Sequence, residues 1–242
     1  MSDVVFMTNE ACPVDFIKLD SRGSDAVRVV GGAGNAVYVH KDACPGSVHV
    51  EFHGDSNELW IGSGCRLRGS VHFYGSNGVA HFGSSGELNV SASIYDGSSL
   101  HWGDRSTAYH VRVWVHGGRR CRIGDGCLFS ENIHIRTSDH HSIIDLKRGA
   151  LINEAADVTV GNHVWISEGV RIGKGARIGA GSIIAGSSFV NGEVPPCELW
   201  GGVPARRIRS DVSWVNEFPA SAASIESLIR REAARHEQWS GA

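Results

Sequence analysis

The stretch 158–194 reads VTVGNHVWISEGVRIGKGARIGAGSIIAGSSFVNGEV and repeats every six residues. Aliphatic side chains fall at Val160, Ile166, Ile172, Ile178, Ile184 and Val190. Two positions before each sits a second apolar or small residue: Val158, Val164, Val170, Ala176, Ser182 and Ser188. The residue after each is mostly small, as at Gly161, Ser167, Gly173, Gly179 and Ala185. Neither a helical period of 3.6 nor plain alternation holds a six-residue phase this long. A fixed short period with glycine at the turns marks a solenoid, in which each strand adds one rung. Roughly three hexads close one triangular coil, with rungs ~4.8 Å apart. The aliphatic residues then stack on their like and fill a narrow core.

The same pattern is looser upstream. Hexads run through Ile61, Leu67 and Phe73, then Phe82, Leu88, Ile94 and Leu100, then Ile123, Phe129 and Ile135. The phase slips near 75–78 and near 116–120, which predicts loops bulging from one corner. The largest break lies between Ile135 and Val158, where RTSDHHSIIDLKRGALINEAAD interrupts the repeat. Hexads resume cleanly after it, so this is a loop thrown out of the coil, and loops of this length tend to carry function. The expected organisation is an arm or cap over 1–26 and a solenoid over 27–194. Within the solenoid, imperfect coils cover 27–135, an extruded loop 136–157 and regular coils 158–194. A turn and a helix fill 195–242. The helix spans about 221–238, with Ala222, Ile225, Ile229 and Ala233 on one face and Ser221 or Ser224 as cap. It is expected to close the open end of the solenoid or to meet a neighbouring subunit.

Composition narrows the function classes. The 242 residues include 31 Gly and only 6 Pro, with 41% hydrophobic residues, which suits many tight turns in an ordered chain. A formal net charge of −3 carries no general signal for nucleic acid. Six cysteines (Cys12, Cys44, Cys65, Cys121, Cys127, Cys197) form no CxxC pair and read as reduced, core-filling thiols. With no apolar run long enough to span a membrane and no basic-then-apolar start, the expectation is a cytoplasmic protein.

Three motifs in order, IGDGCLFSENIHIRTSDHHSI, VTVGNHVWISEGVRIGKGARIGAGS and GGVPARRIR, resemble the hexapeptide-repeat acyltransferases. The nearest subset is the O-acetyltransferases of capsular and other surface polysaccharides. The resemblance covers 121–209 well and the earlier coils only in style. It implies an all-β fold, a left-handed parallel β-helix with an extruded catalytic loop and a C-terminal α-helix. It implies a homotrimer with acetyl-CoA in the groove between neighbouring β-helices, and no metal. The implied reaction is acetyl transfer to a sugar hydroxyl of a surface polysaccharide or its precursor.

Such a transfer needs a base for the attacking hydroxyl and donors for the developing oxyanion. By the resemblance His141 is the general base. Asp139, or else Asp145, orients its imidazole, and the adjacent His140 is a bystander or substrate contact. Trp165 flanks the thioester and pantetheine arm, Glu168 offers its backbone N–H near the thioester carbonyl, and Gly186 and Ser187 bond the pantetheine amides. Arg206 and Arg209 reach the nucleotide phosphates, with Lys174 as a further groove residue. Asn191-Gly192 departs from the family's Thr-Lys, which removes one phosphate contact. Arg119, Arg120, Arg136, Trp102 and Trp114 are candidates for the acceptor side. Two other readings stay open: an N-acyltransferase on an amino sugar, and a β-helical zinc enzyme of carbonic anhydrase type that uses the histidines of the early coils.

Overall fold

The computed structural model describes residues 14–19, 24, 26–31 and 34–240, with side chains through residue 232. Most of the expected N-terminal arm, with Cys12, lies outside the described residues. The chain winds into a β-solenoid of about eight turns followed by one helix, Ala222–Ser240. Its strands form three long faces. The first stacks Ala36–His40, Glu58–Ile61, Val79–Phe82, Ser99–Trp102, Arg120–Ile123, Val158–Val160, Arg177–Ile178 and Glu193–Val194 in parallel. The second carries Leu128–Phe129, Trp165–Ile166, Ile183–Ile184 and Leu199–Gly201. The third carries Val27–Gly31, Val48–Phe52, Ile133–Arg136, Arg171–Ile172 and Phe189–Val190. The longer strands Arg66–Phe73, Glu87–Ile94 and Thr107–Val115 bend across a corner, with a register shift between Ala108 and Val111, and join the second face to the third.

Inward residues stack on like residues. Phe52 lies 4.9 Å from Phe73, and Trp102 sits between Phe82 at 6.4 Å and Phe129 at 5.0 Å, all ring centroids. Trp102 is therefore core, completely buried, and not part of an acceptor surface. Counting hexads from Ile94 reaches Leu100, but the corner between them inserts two residues, so both Leu100 and Trp102 point inward. The glycine-rich corner between the first and second faces permits this stacking. A Cβ on Gly124 would lie 2.7 Å from the backbone N of Asn162 in the next rung. The same corner is laced by carboxylates and amides. Asp104 accepts from the N–H of Ser84, Asp125 from that of Asp104 and Asn162 from that of Asp125.

Cys44, Cys65 and Cys121 are free thiols; burial pushes Cys65 and Cys121 up to about 12, which removes their reactivity near neutral pH.

Three features differ from expectation. The solenoid continues past Val194: Leu199 and Trp200 pair in parallel with Ile183 and Ile184. Pro195 and Pro196 sit at a corner, where a missing ladder donor costs nothing. The helix Ala222–Ser240 lies along the side of the solenoid and does not cross its end. Arg231 reaches His163 Nε2 at 2.6 Å, Glu232 lies beside Cys197 and Gly181, and Trp214 stacks on His163 at 4.3 Å. Finally, antiparallel strands bound the parallel stack at both ends. Phe16–Leu19 runs against Ala36–His40, and Arg206–Arg209 runs against Leu199–Gly201.

Candidate active site

The loop that breaks the hexads leaves the third face after Ile133–Arg136 and returns to the first face at Val158–Val160. Its tip is a small antiparallel hairpin, Ile144–Asp145 against Ala150–Leu151. Thr137, fully buried, anchors its base: the Oγ1 accepts from the N–H of His116 and donates to the same residue's carbonyl. Above it, Asn153 ties the two limbs together. Its Nδ2 donates to Asp139 Oδ2 at 2.9 Å and to the His141 carbonyl at 2.8 Å, and its Oδ1 accepts from the N–H of Ile143. Sequence reasoning passed over Asn153. Its amide can make these bonds only because the loop folds back on itself, and no local spacing announces that.

His141 is exposed on this braced loop. Among the described residues its imidazole makes no hydrogen bond. Asp139 does not hold that ring within the chain; its carboxylate pairs with Lys174 Nζ at 2.7 Å, and the lysine and Asn153 hold its pKa below the usual carboxylate range. Lys174 also donates to the Asn153 carbonyl at 2.7 Å. It therefore braces the hairpin at the corner between the third and first faces. Asp145 caps the turn of the hairpin through the N–H groups of Lys147 and Arg148.

His140 is in the left-handed region at φ 63° and turns onto the column below, 5.2 Å from His116 and 5.6 Å from Tyr95. Burial pushes its pKa down, helped by His116 and Arg136, which favours the neutral ring that seats the loop.

The third face beneath the loop is positively charged. Arg112, His134 and Arg171 occupy one register across three rungs, and Arg136 lies over the Trp114 ring at 4.5 Å. Burial, then Arg112, Arg136 and Arg171, lower the His134 pKa. Of the acceptor-side candidates, Arg136 and Trp114 thus lie together on the third face, where the loop begins. Arg119 and Arg120 sit at the corner turn, where the Arg120 N–H donates to Asp157.

The coenzyme candidates gather elsewhere. Glu168, Gly186 and Ser187 stack at the corner between the second and third faces, with Ser187 N–H donating to the Glu168 carbonyl at 2.8 Å. Ser187 adopts φ 58° there. Gly202 follows one rung on, and Arg206 and Arg209 are exposed on the strand that folds back over Leu199–Gly201. Trp165 is half-buried on the second face beside Trp214, and its indole N–H is buried with no acceptor. Asn191-Gly192 lies exposed near the hairpin corner. One chain therefore places His141 on one edge of the prism and the coenzyme candidates on another.

This β-solenoid is shared with hexapeptide-repeat acetyltransferases of known structure. The solved polySia-specific acetyltransferase NeuO superposes with a TM-score of 0.80 at 27% identity, covering 88% of this chain and 99% of that one. The polysialic acid O-acetyltransferase OatWY shares the fold with a TM-score of 0.74 at 22% identity, covering 78% and 90%. Among curated proteins, the chain is 26% identical over 141 residues to a polysialic acid O-acetyltransferase of Neisseria meningitidis, an alignment covering 57% of this chain and 66% of that one. It is 38% identical over 102 residues to a polysialic acid O-acetyltransferase of Escherichia coli O1:K1 / APEC, covering 42% and 33%. The matches thus span just under two thirds and one third of those relatives. No family model matches the chain. Among the described residues, no helix is long and apolar enough to cross a membrane.

Proposed function

We propose that this chain is an acetyl-CoA-dependent O-acetyltransferase whose acceptor is an acidic surface polysaccharide, with His141 as general base. The observation that supports this reading is the exposed His141 on a braced loop that leaves the third face just after Arg136, a face whose outward side also carries Arg112 and Arg171. Polysialic acid, the acceptor in the names of the relatives, carries a carboxylate on every sugar, and guanidinium groups match carboxylates in a planar, two-pronged way.

The reaction balances without a metal or a covalent enzyme intermediate. The neutral His141 imidazole takes the proton of the sugar hydroxyl as its oxygen attacks the thioester carbonyl. The tetrahedral intermediate collapses with cleavage of the C–S bond, and the imidazolium returns the proton to the leaving thiolate. Asp139 contributes by holding the loop through Asn153 and Lys174, a positioning role. Trp165, the Glu168 backbone, Gly186 and Ser187 would hold the acyl arm, and Arg206 and Arg209 the phosphates.

The separation of His141 from these residues within one chain supports a homotrimer, in which a coenzyme groove forms between the hairpin edge of one subunit and the coenzyme corner of its neighbour. The hairpin offers an apolar surface suited to such a contact, with Leu146 94% and Ile152 60% exposed. The reading places the enzyme in the cytoplasm, where acetyl-CoA is made. Free thiol release from acetyl-CoA should depend on added polysialic acid and not on a neutral glycan. His141→Ala should lower it by about 10²–10⁴-fold. Unchanged turnover in that variant would remove His141 from the mechanism.

A further inference from the structure

The early coils hold a second cluster of chemistry that acetyl transfer does not use. On the third face, His49 and Glu51 share the outward side of Val48–Phe52, because alternate residues of a strand point the same way. His72 stands directly across from Glu51 in the next rung. His53 follows at the corner where the strand ends. One donor atom each from Glu51, His53 and His72 lies within 4.8 Å of the others.

The separations inside this group match those between ligands on one metal ion. His72 Nδ1 lies 3.2 Å from Glu51 Oε2, His53 Nε2 3.4 Å from Oε1, and His49 Nε2 3.7 Å from Oε2. A hydrogen bond between an imidazolium and a carboxylate closes to about 2.7–2.9 Å. Two donors on a tetrahedral zinc ion, with bonds of about 2.0–2.2 Å, stand about 3.3 Å apart. His72 Nδ1 is moreover buried and makes no hydrogen bond, a state that costs free energy unless something fills it. The rings are already oriented: Tyr74 stacks on His53 at 5.1 Å, 4° from parallel, and on His72 at 5.9 Å.

We infer that Glu51, His53 and His72 form a binding site for a divalent transition-metal ion, zinc by donor type. Imidazole nitrogen with one carboxylate oxygen suits zinc and its neighbours and not calcium or magnesium. The site bridges two adjacent rungs near the first coils and lies three rungs, about 14 Å, from the strand that launches the His141 loop. It acts as a staple between rungs, and its occupancy is independent of the acyl-transfer chemistry.

Equilibrium dialysis of EDTA-stripped full-length protein against zinc chloride tests it. Wild type should take up about one zinc ion per chain, and cobalt(II) at the same site should give the intense visible bands of tetrahedral coordination. His72→Gln and Glu51→Gln should each weaken uptake at least 100-fold, while His110→Gln, on a different strand, leaves it unchanged. Exposed His53→Gln keeps the test decisive if His72→Gln does not fold. Full zinc uptake in His53→Gln and Glu51→Gln, or none in wild type, overturns the site.

Discussion

The coils before the hairpin and the coils after it solve the same winding problem with different lengths of chain. After the hairpin, partners in adjacent rungs are 18 residues apart, as in Trp165 with Ile183 and Arg171 with Phe189, and 16 apart in the last rung, as in Ile183 with Leu199. Before it they are 20 to 22 apart, as in Val79 with Ser99, Glu51 with His72 and Ala36 with Glu58. The extra residues gather at the corner between the third and first faces. There His53, Tyr74, Tyr95 and His116 stack ring on ring in successive turns, at 5.1, 5.2 and 4.7 Å. The hairpin is the next member of that column, grown long, and His140 rests on its top. A strict hexad coil spends every residue on closing the triangle. The wider coil has chain left over, and the chemistry-bearing side chains collect where it is spent.

The wide coils also fill their core with aromatics where the narrow coils use Ile and Val. The largest expected effect tests that difference. Trp102→Ala, removing a completely buried ring between Phe82 and Phe129, should cost about 3–5 kcal/mol in urea unfolding. Trp102→Phe should cost far less, because it also removes an indole N–H buried without an acceptor.

Next comes a pH effect confined to the wide coils. His81 stacks on His101 at 4.8 Å, and burial, then His101, push its pKa down to about 4. The folded state thus binds the proton less well than the unfolded chain, whose value is about 6.5. Its contribution is fully present above pH 6.5 and is lost as pH falls towards 4. The loss is on the order of 3 kcal/mol. Denaturation across that window should show the decline in wild type and a flatter profile in His81→Phe.

The smallest effect is at the hairpin. Lys174→Met releases Asp139 and the Asn153 carbonyl and should lower kcat on the order of tenfold by loosening the His141 loop, with KM for acetyl-CoA little changed. A fall in coenzyme affinity with kcat intact would instead place Lys174 in the coenzyme groove.

Much of this was legible in the chain. A phase of six held from Val158 to Val190 leaves little room for another fold, and the single long interruption marks where His141 emerges. The slips near 75–78 and 116–120 are visible as loops on one corner. What they build is not, since His53, Tyr74, Tyr95 and His116 become neighbours only when read at 21 residues. Hexad counting says which residues face outward but not which corner they reach, so the contact of Lys174 with Asp139 and Asn153 could not be read from it. It also loses phase where a corner is long, which put the core residue Trp102 on the surface. Asn153, Arg112 and Arg171 act through neighbours distant in sequence, and nothing local distinguishes them.

The reversed strands at the two ends carry a consequence of their own. A parallel solenoid is an open-ended template, because each last rung presents the donors and acceptors that another coil would complete. Copies of such a coil could stack end to end into a fibre. Phe16–Leu19 and Arg206–Arg209 each take up an end rung with a strand running the opposite way. Antiparallel pairing spaces its hydrogen bonds differently from parallel pairing, so an incoming parallel coil finds the wrong ladder there. On those faces the chain terminates its own growth, and it does so with backbone direction alone.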